Sequence, residues 1–143
     1  MRKLAIAIDG PAGAGKSSVA KILAANMGYA YLDTGAMYRA VTYEVLRREL
    51  TEEKDIVALA AGMDMTVKPE ADAMHVIVNG HDVTDLIRTP EVSAKVSAVS
   101  AWAGVRAAMV EIQRRKAAKG GIVLDGRDIG TTVLPHADVK IFL

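Results

Sequence analysis

Runs of apolar residues without polar alternation mark the expected strands of this chain. Residues 4–8 form one such run and residues 122–124 another, and each ends at an Asp-Gly pair. Strands of a parallel sheet that helices cover on both faces are apolar throughout. We therefore predict two buried parallel strands here, with further strands at residues 29–32 and 139–143.

Helical periodicity begins soon after the first strand. Residues 16–27 place Val19, Ile22 and Leu23 on one helical face, and Gly28 supplies a C-terminal stop. This pattern predicts an amphipathic helix with these three side chains on its apolar face. Strand, loop and helix in this order are typical of the opening of a βαβ fold.

The middle of the chain alternates between helical and extended patterns. Helices are predicted at residues 35–49, from Thr51 to about residue 61, from Pro90 onward and at residues 101–119. Two extended runs joined by a turn predict a small β insertion at about residues 63–85. The predicted fold class is α/β, with a parallel core sheet flanked by helices and an inserted region.

Composition narrows the classes of function. The 143 residues include 18 Lys and Arg against 17 Asp and Glu, for a formal net charge of +1, so no broad basic surface for nucleic acid or membrane is expected. The chain has no cysteine, which excludes thiolate metal sites, and its three histidines lie far apart. The first residues contain no targeting segment, so we expect a cytoplasmic protein. We also expect a monomer that binds anions at particular sites rather than over a broad charged surface.

A glycine-rich segment between the first strand and the first helix matches the pattern G-x-x-x-x-G-K-[ST]. In this context backbone N–H groups converge on phosphate oxygens, Lys16 reaches the β- and γ-phosphates, and the Ser17 hydroxyl is a ligand for Mg²⁺. A glycine-rich turn with a stray lysine is the alternative, which the flanking strand and helix disfavour. The predicted ATP-phosphate site is Gly10, Pro11, Ala12, Gly13, Ala14, Gly15, Lys16, Ser17 and Ser18.

Two more polar segments follow predicted strands and so lie at the edge where open α/β sheets bind ligands. In the first, Thr34 is a candidate helix cap and Arg39 offers a planar fork for a second phosphate group. In the second, Asp125 is a candidate for orienting Mg²⁺ or its waters, Arg127 for balancing phosphoryl oxygens and Asp128 for accepting from an exocyclic amine. Each segment taken alone is also compatible with an ordinary surface turn or helix.

Three motifs in one order, G-P-A-G-A-G-K-S-S, D-T-G-A-M-Y-R and D-G-R-D-I-G-T, resemble those of bacterial cytidylate kinases, and the resemblance extends along nearly the whole chain. It implies a P-loop NTPase fold, ATP as co-substrate, Mg²⁺ as cofactor and CMP or dCMP as acceptor. Lys16, Asp125 and Arg127 would be the catalytic residues. The CMP-binding residues would be Thr34, Tyr38, Arg39, Ser97, Arg106, Arg127 and Asp128.

By the same resemblance, residues 1–33 and 120–143 would form the P-loop core, and residues 34–119 the monophosphate-binding region. Members of this family continue past Leu143 with an arginine-rich lid and final core elements, which we expect to be absent here. Two alternatives stay open: a nucleotide-binding module with little or no turnover, and another small P-loop kinase with a different acceptor.

Overall fold

The computed structural model describes residues 3–11, 13–70 and 73–143, which form two compact units. Unit 1 comprises Met1–Thr34 and Ile112–Leu143, and unit 2 comprises Gly35–Glu111. The strands are β1 (Ala5–Asp9), β2 (Ala30–Asp33), β3 (Met65–Glu70), β4 (Ala73–Val78), β5 (His81–Asp82), β6 (Ile122–Gly126) and β7 (Val139–Phe142). The helices are α1 (Lys16–Met27), α2 (Thr34–Arg47), α3 (Glu53–Gly62), α4 (Pro90–Ser100) and α5 (Ala103–Ala117).

Unit 1 is built on a parallel sheet with strand order β2-β6-β1-β7. The two apolar runs form its central pair, in which Ile8 lies opposite Asp125 and Asp9 opposite Gly126. Both strands are buried along nearly their whole length. The predicted α/β class with a parallel core sheet is confirmed, and the segments that follow β1 and β6 leave the sheet at the same edge.

Helix α1 has the predicted bounds, but the prediction of its buried face is wrong. Ile22 is 62% exposed and Val19 is 39% exposed, whereas Ala20 and Ala24 are buried. The helix packs against β2 and β6. Alanine has the smallest side chain that still favours a helix, so two alanines on one face let the backbone approach the sheet closely.

Unit 2 contains the predicted β insertion as an antiparallel sheet with strand order β3-β4-β5. Val76 and Val78 from β4 are buried, as are Val105 and Met109 from α5. The predicted helix start at Thr51 is wrong. Helix α3 begins at Glu53 without a side-chain cap, and Glu53 and Asp55 place negative charge in its first turn.

None of the helices in the described ranges combines the length and the apolar content that crossing a bilayer requires. The longest of them, α2 and α5, have 14 and 15 residues and include charged side chains. Roughly 20 apolar residues are needed to span the hydrocarbon core.

A buried carboxylate in α2 makes the stability of unit 2 dependent on pH. Glu44 is 5% exposed, and it accepts hydrogen bonds from Arg47 (Nη2 to Oε2, 2.7 Å) and Arg48 (Nε to Oε2, 3.1 Å). Burial by itself raises the pKa of Glu44, but the hydrogen bonds and charge of Arg47, followed by those of Arg48, outweigh burial and lower the pKa.

We expect Glu44→Gln to lower the free energy of unfolding at pH 7 by about 1 kcal/mol, a modest value because both arginines are largely exposed. A lowered pKa in the folded state stabilises the protein above the unfolded value, about 4.3 for Glu, and this stabilisation is lost as the pH falls through the folded pKa. Urea denaturation should therefore show the difference shrinking below about pH 4. The exposed Glu111→Gln is the control, and a difference that does not change with pH would contradict the assignment.

Candidate functional site

The loop between β1 and α1 adopts a conformation that only glycine adopts readily. Gly13 and Gly15 have φ values of 82° and 86°, and a Cβ at either position would meet no atom within 4 Å. The backbone angle, rather than lack of space, therefore requires glycine here. Ala14 N–H donates to Pro11 O at 3.3 Å and closes the turn. Ala12, a predicted phosphate-site residue, lies outside the described residues.

The N-terminus of α1 follows this loop directly. Its N-cap, Gly15, provides no side-chain cap, and the first turn contains no acidic residue. Lys16 is half-buried, and Ser17 and Ser18 are exposed. An uncapped helix N-terminus with its positive dipole end and an adjacent lysine is a suitable site for an anion.

Asp125, at the end of β6, is the most deeply buried carboxylate near this loop, with 1% exposure. Its Oδ2 accepts hydrogen bonds from Tyr31 OH at 2.6 Å and from Ser17 Oγ at 3.2 Å. Thr34, also buried, donates from Oγ1 to the Asp125 carbonyl at 2.8 Å. Unit 1 therefore brings three of the predicted site residues, Ser17, Thr34 and Asp125, into direct contact.

The environment of Asp125 opposes its ionisation. Burial, followed by the negative charge of Asp33, raises the pKa of Asp125 to about 6, although the hydrogen bonds from Tyr31 and Ser17 and the charge of Lys16 act in the opposite direction. Burial and the two nearby carboxylates also raise the pKa of the Tyr31 hydroxyl, which stays protonated and donates. A cation bound beside Asp125 would supply the positive charge that its ionised form lacks, so this carboxylate is a suitable cation ligand.

Nothing in the sequence pattern assigns Tyr31 a functional role. A tyrosine in a buried strand has no local signal for function, because its partner Asp125 is 94 residues away in the sequence. The one available signal is chemical, since a buried tyrosine hydroxyl needs a hydrogen-bond partner.

The oxygens of Ser17 and Asp125 are the hard ligands that magnesium prefers. Among the residues that the structure describes, no group of three or more His, Cys, Asp or Glu side chains is arranged to hold a metal ion. Magnesium in phosphoryl-transfer sites is commonly held by only one or two side chains, together with substrate phosphates and water. The Ser17 hydroxyl at the start of α1 and the Asp125 carboxylate beside it in β6 fit such an ion.

The segment after β6 contains Arg127, which is exposed, and Asp128, which is half-buried. It continues into a π-helical turn at Ile129–Val133, in which the Thr132 N–H donates to Asp128 O at 2.9 Å. The carboxylate of Asp9 accepts from the amides at the start of this turn. Asp9 belongs to none of the predicted sites, although a charged residue at the end of an all-apolar strand is itself a signal.

The other predicted CMP-binding residues lie in unit 2. Arg39 donates from Nη1 to Ser93 Oγ at 3.0 Å and to Ile87 O at 3.3 Å. Tyr38, its neighbour in α2, is half-buried, while Ser97 on α4 and Arg106 on α5 are exposed. The structure thus brings Arg39 together with Ser93, a hydroxyl that the sequence analysis did not single out.

A cavity of about 580 Å³ lies at the opposite end of β1 from the glycine-rich loop. Its lining includes Lys3, Ala5, Arg114, Lys119, Leu134 and His136. The guanidinium of Arg114 already forms hydrogen bonds within the protein, to the carbonyl oxygens of Val133 and Thr132. None of the predicted site residues lines this cavity, so the candidate site is the open edge of the sheet instead.

Comparison with known proteins agrees with the motif pattern. A protein-family model described as cytidylate kinase matches residues 6–143. A cytidylate kinase of Desulfitobacterium hafniense is 54% identical over 99% of the chain, and that of Bacillus subtilis is 53% identical over 99%. A cytidylate kinase of Enterococcus faecalis is 51% identical over the full chain. The chain spans 62% of the length of the first relative and 64% of the other two.

The raised pKa of Asp125 predicts a stability change with a definite sign. A carboxyl group whose pKa rises on folding destabilises the protein once it ionises, so the loss of stability develops between about pH 4 and pH 6 and is complete above that range. Without metal and nucleotide, Asp125→Asn should raise the free energy of unfolding at pH 8 by about 1 to 2 kcal/mol and have little effect at about pH 3.5, below the unfolded pKa. Urea denaturation in EDTA measures both values.

The exposed Asp64→Asn serves as the matched control and should leave the stability unchanged at both pH values. An Asp125→Asn variant that loses stability equally at about pH 3.5 and pH 8 would show that the site does not oppose ionisation of this carboxyl group.

Proposed function

The chain belongs to the cytidylate kinase family, and on that basis we propose that the protein transfers the γ-phosphoryl group of ATP to CMP or dCMP, giving CDP or dCDP. The observation that best supports this function is the glycine-rich loop, which leaves β1 beside the Ser17–Asp125 pair. A helix N-terminus with a lysine, a hydroxyl and a buried carboxylate suits phosphoryl transfer.

In this proposal the loop from Gly10 to Ser18 binds the phosphates of ATP. Backbone N–H groups near Gly13 and Gly15 approach the phosphate oxygens, and the dipole of α1 favours their negative charge. Lys16 reaches the β- and γ-phosphates and neutralises charge that develops on the transferring group. The P-loop therefore both anchors ATP and stabilises the transition state.

Magnesium is the cofactor that the residues beside the loop suit best. Ser17 would hold the ion through its hydroxyl, and Asp125 would orient the ion or its waters through its carboxylate. When bound, the ion neutralises the β- and γ-phosphate oxygens. The hydrogen bond of 2.6 Å from Tyr31 OH restricts the orientation of the Asp125 carboxylate.

The assignment of the acceptor rests on the family resemblance and on side-chain chemistry. We propose that Arg39 and Arg127 bind the CMP phosphate, since guanidinium groups match phosphate geometry. Cytosine presents an N4 amine as donor with N3 and O2 as acceptors, so an acidic or hydroxyl acceptor paired with an arginine donor distinguishes it from uracil. The residues proposed for this recognition are Ser97, Arg106 and Asp128, with Thr34 and Tyr38 completing the CMP site.

The reaction proposed is a direct in-line transfer without a covalent enzyme intermediate. Lys16 and Arg127 would act by charge neutralisation and Asp125 through the metal ion, while the remaining residues position the substrates. The near-zero net charge supports small nucleotides as substrates, rather than nucleic acid or a membrane surface. We propose a cytoplasmic enzyme that works as a monomer.

Replacing the P-loop lysine tests the ATP assignment. We expect Lys16→Ala to weaken ATP binding by about 10- to 100-fold and to abolish phosphotransfer, because one charge-assisted contact to phosphate is lost. Calorimetric titration with ATP and Mg²⁺ measures the affinity. Lys21→Ala, which removes an exposed lysine from the same helix, is the control and should leave the affinity unchanged. An equal effect of the two substitutions would refute a specific role for Lys16.

A panel of monophosphates tests the acceptor. CMP and dCMP should bind and accept phosphate much better than UMP, AMP or GMP, because the proposed acceptor groups are complementary to cytosine. Phosphotransfer is best measured on the chain and on a chimera continued past Leu143 with the corresponding part of the Bacillus subtilis relative. A clear preference for AMP in both proteins would reject the proposed acceptor.

A further inference from the structure

Asp9 is a buried carboxylate that the proposed reaction does not use. It is the last residue of β1, directly before the phosphate-binding loop, and is 8% exposed. The rest of this strand is apolar, so a small apolar residue would suit the position by packing alone. A buried carboxylate is costly unless hydrogen bonds satisfy it, and those hydrogen bonds indicate its role.

Both oxygens of Asp9 accept hydrogen bonds from the start of the π-helical turn. Oδ1 accepts from Ile129 N–H at 2.7 Å and Oδ2 from Gly130 N–H at 2.8 Å. These hydrogen bonds span 120 and 121 positions of sequence, so they join two distant segments of unit 1. Hydrogen bonds from amides to an ionised carboxylate are short and strong, and two of them fix direction as well as distance.

The turn that Asp9 holds begins immediately after Arg127 and Asp128. The Asp128 carbonyl accepts from the N–H groups of Thr132 (2.9 Å) and Val133 (3.2 Å), so Asp128 belongs to the same rigid turn. The Gly10 N–H donates to Gly126 O at 3.2 Å, just before Arg127. Displacing the first amides of the turn would therefore displace both side chains proposed for the acceptor.

We infer that Asp9 is a positioning residue, which fixes Arg127 and Asp128 relative to the phosphate-binding loop through Ile129 and Gly130. The inference rests on the proposed function insofar as Arg127 and Asp128 bind the acceptor. The loop itself keeps other supports, because β1 pairs with β6 and β7 along its length. Loss of the Asp9 carboxylate should consequently affect acceptor binding more than ATP binding.

The test compares Asp9→Asn with a matched control. Asparagine has nearly the same shape but only one acceptor oxygen, and its amide would face an N–H donor. The control is Asp138→Asn, because Asp138 Oδ2 accepts from Ala5 N–H at 2.8 Å near the start of the same strand. Both substitutions remove a carboxylate that accepts from the backbone, and it is Asp9 that accepts from the amides at the start of the turn after Arg127.

For Asp9→Asn we expect CMP affinity to fall by about tenfold or more, a change of about 1.4 kcal/mol, while ATP affinity changes by less than about threefold. Backbone amide resonances of Arg127 and Asp128 should shift, and the Ile129 and Gly130 amides should exchange faster with solvent. Calorimetry and NMR on the chain measure these effects. Asp138→Asn should leave all four amides and both affinities unchanged.

Two results would overturn the inference: unchanged resonances at Arg127 and Asp128, or equal losses of ATP and CMP affinity. If Asp9→Asn does not fold, Gly130→Ala tests the same contact from the other side, because its Cβ would lie 3.3 Å from Asp9 Oδ2. The same Cβ would lie 3.2 Å from the side chain of Lys140, which is exposed and able to move aside. The same selective loss of CMP affinity is expected for it. A wild-type chain that does not bind CMP would contradict the proposed function instead, and the NMR result would then decide the role of Asp9.

Discussion

The parallel pairing of β1 with β6 is the constraint on which the candidate site depends. Its register sets Ile8 opposite Asp125 and Asp9 opposite Gly126, so both strands end at the same height in the sheet. The glycine-rich loop and the Asp-Gly-Arg-Asp segment therefore begin side by side, although more than 100 residues separate them in sequence. In this register Asp125 shares a face of the sheet with Ile8, and a shift of one residue would turn its side chain to the other face and separate it from Ser17.

Two buried carboxylates at this edge have different partners and therefore different properties. Asp9 accepts from two backbone amides, which suits a carboxylate with a structural task. Asp125 accepts from two hydroxyl groups and lies near a second carboxylate, and its pKa is raised to about 6. Ionised Asp125 lowers the stability of the protein without ligand. Such a cost is typical of binding sites, where a bound cation supplies the compensating positive charge.

Much of the fold and part of the site follow from local sequence patterns. The apolar runs before Asp-Gly pairs predicted the central strands, and the bounds of α1 follow from Lys16 and Gly28. The predicted buried face of α1 was wrong because hydrophobicity alone does not reveal that Ala20 and Ala24 contact the sheet. The roles of Asp9 and Tyr31 depend on partners about 90 or more residues away, and no local pattern contains that information. The assignments of the phosphate and CMP residues stay predictions.

The central claim is that the edge formed by β1 and β6 binds the phosphates of ATP. A crystal structure of the chain grown with Mg²⁺, CMP and a non-hydrolysable ATP analogue tests it most directly. The account predicts the β- and γ-phosphates at the N-terminus of α1, in contact with Lys16, with the metal ion beside Ser17. A nucleotide ordered elsewhere, for example in the cavity lined by Lys3 and Lys119, with the glycine-rich loop empty, would contradict it.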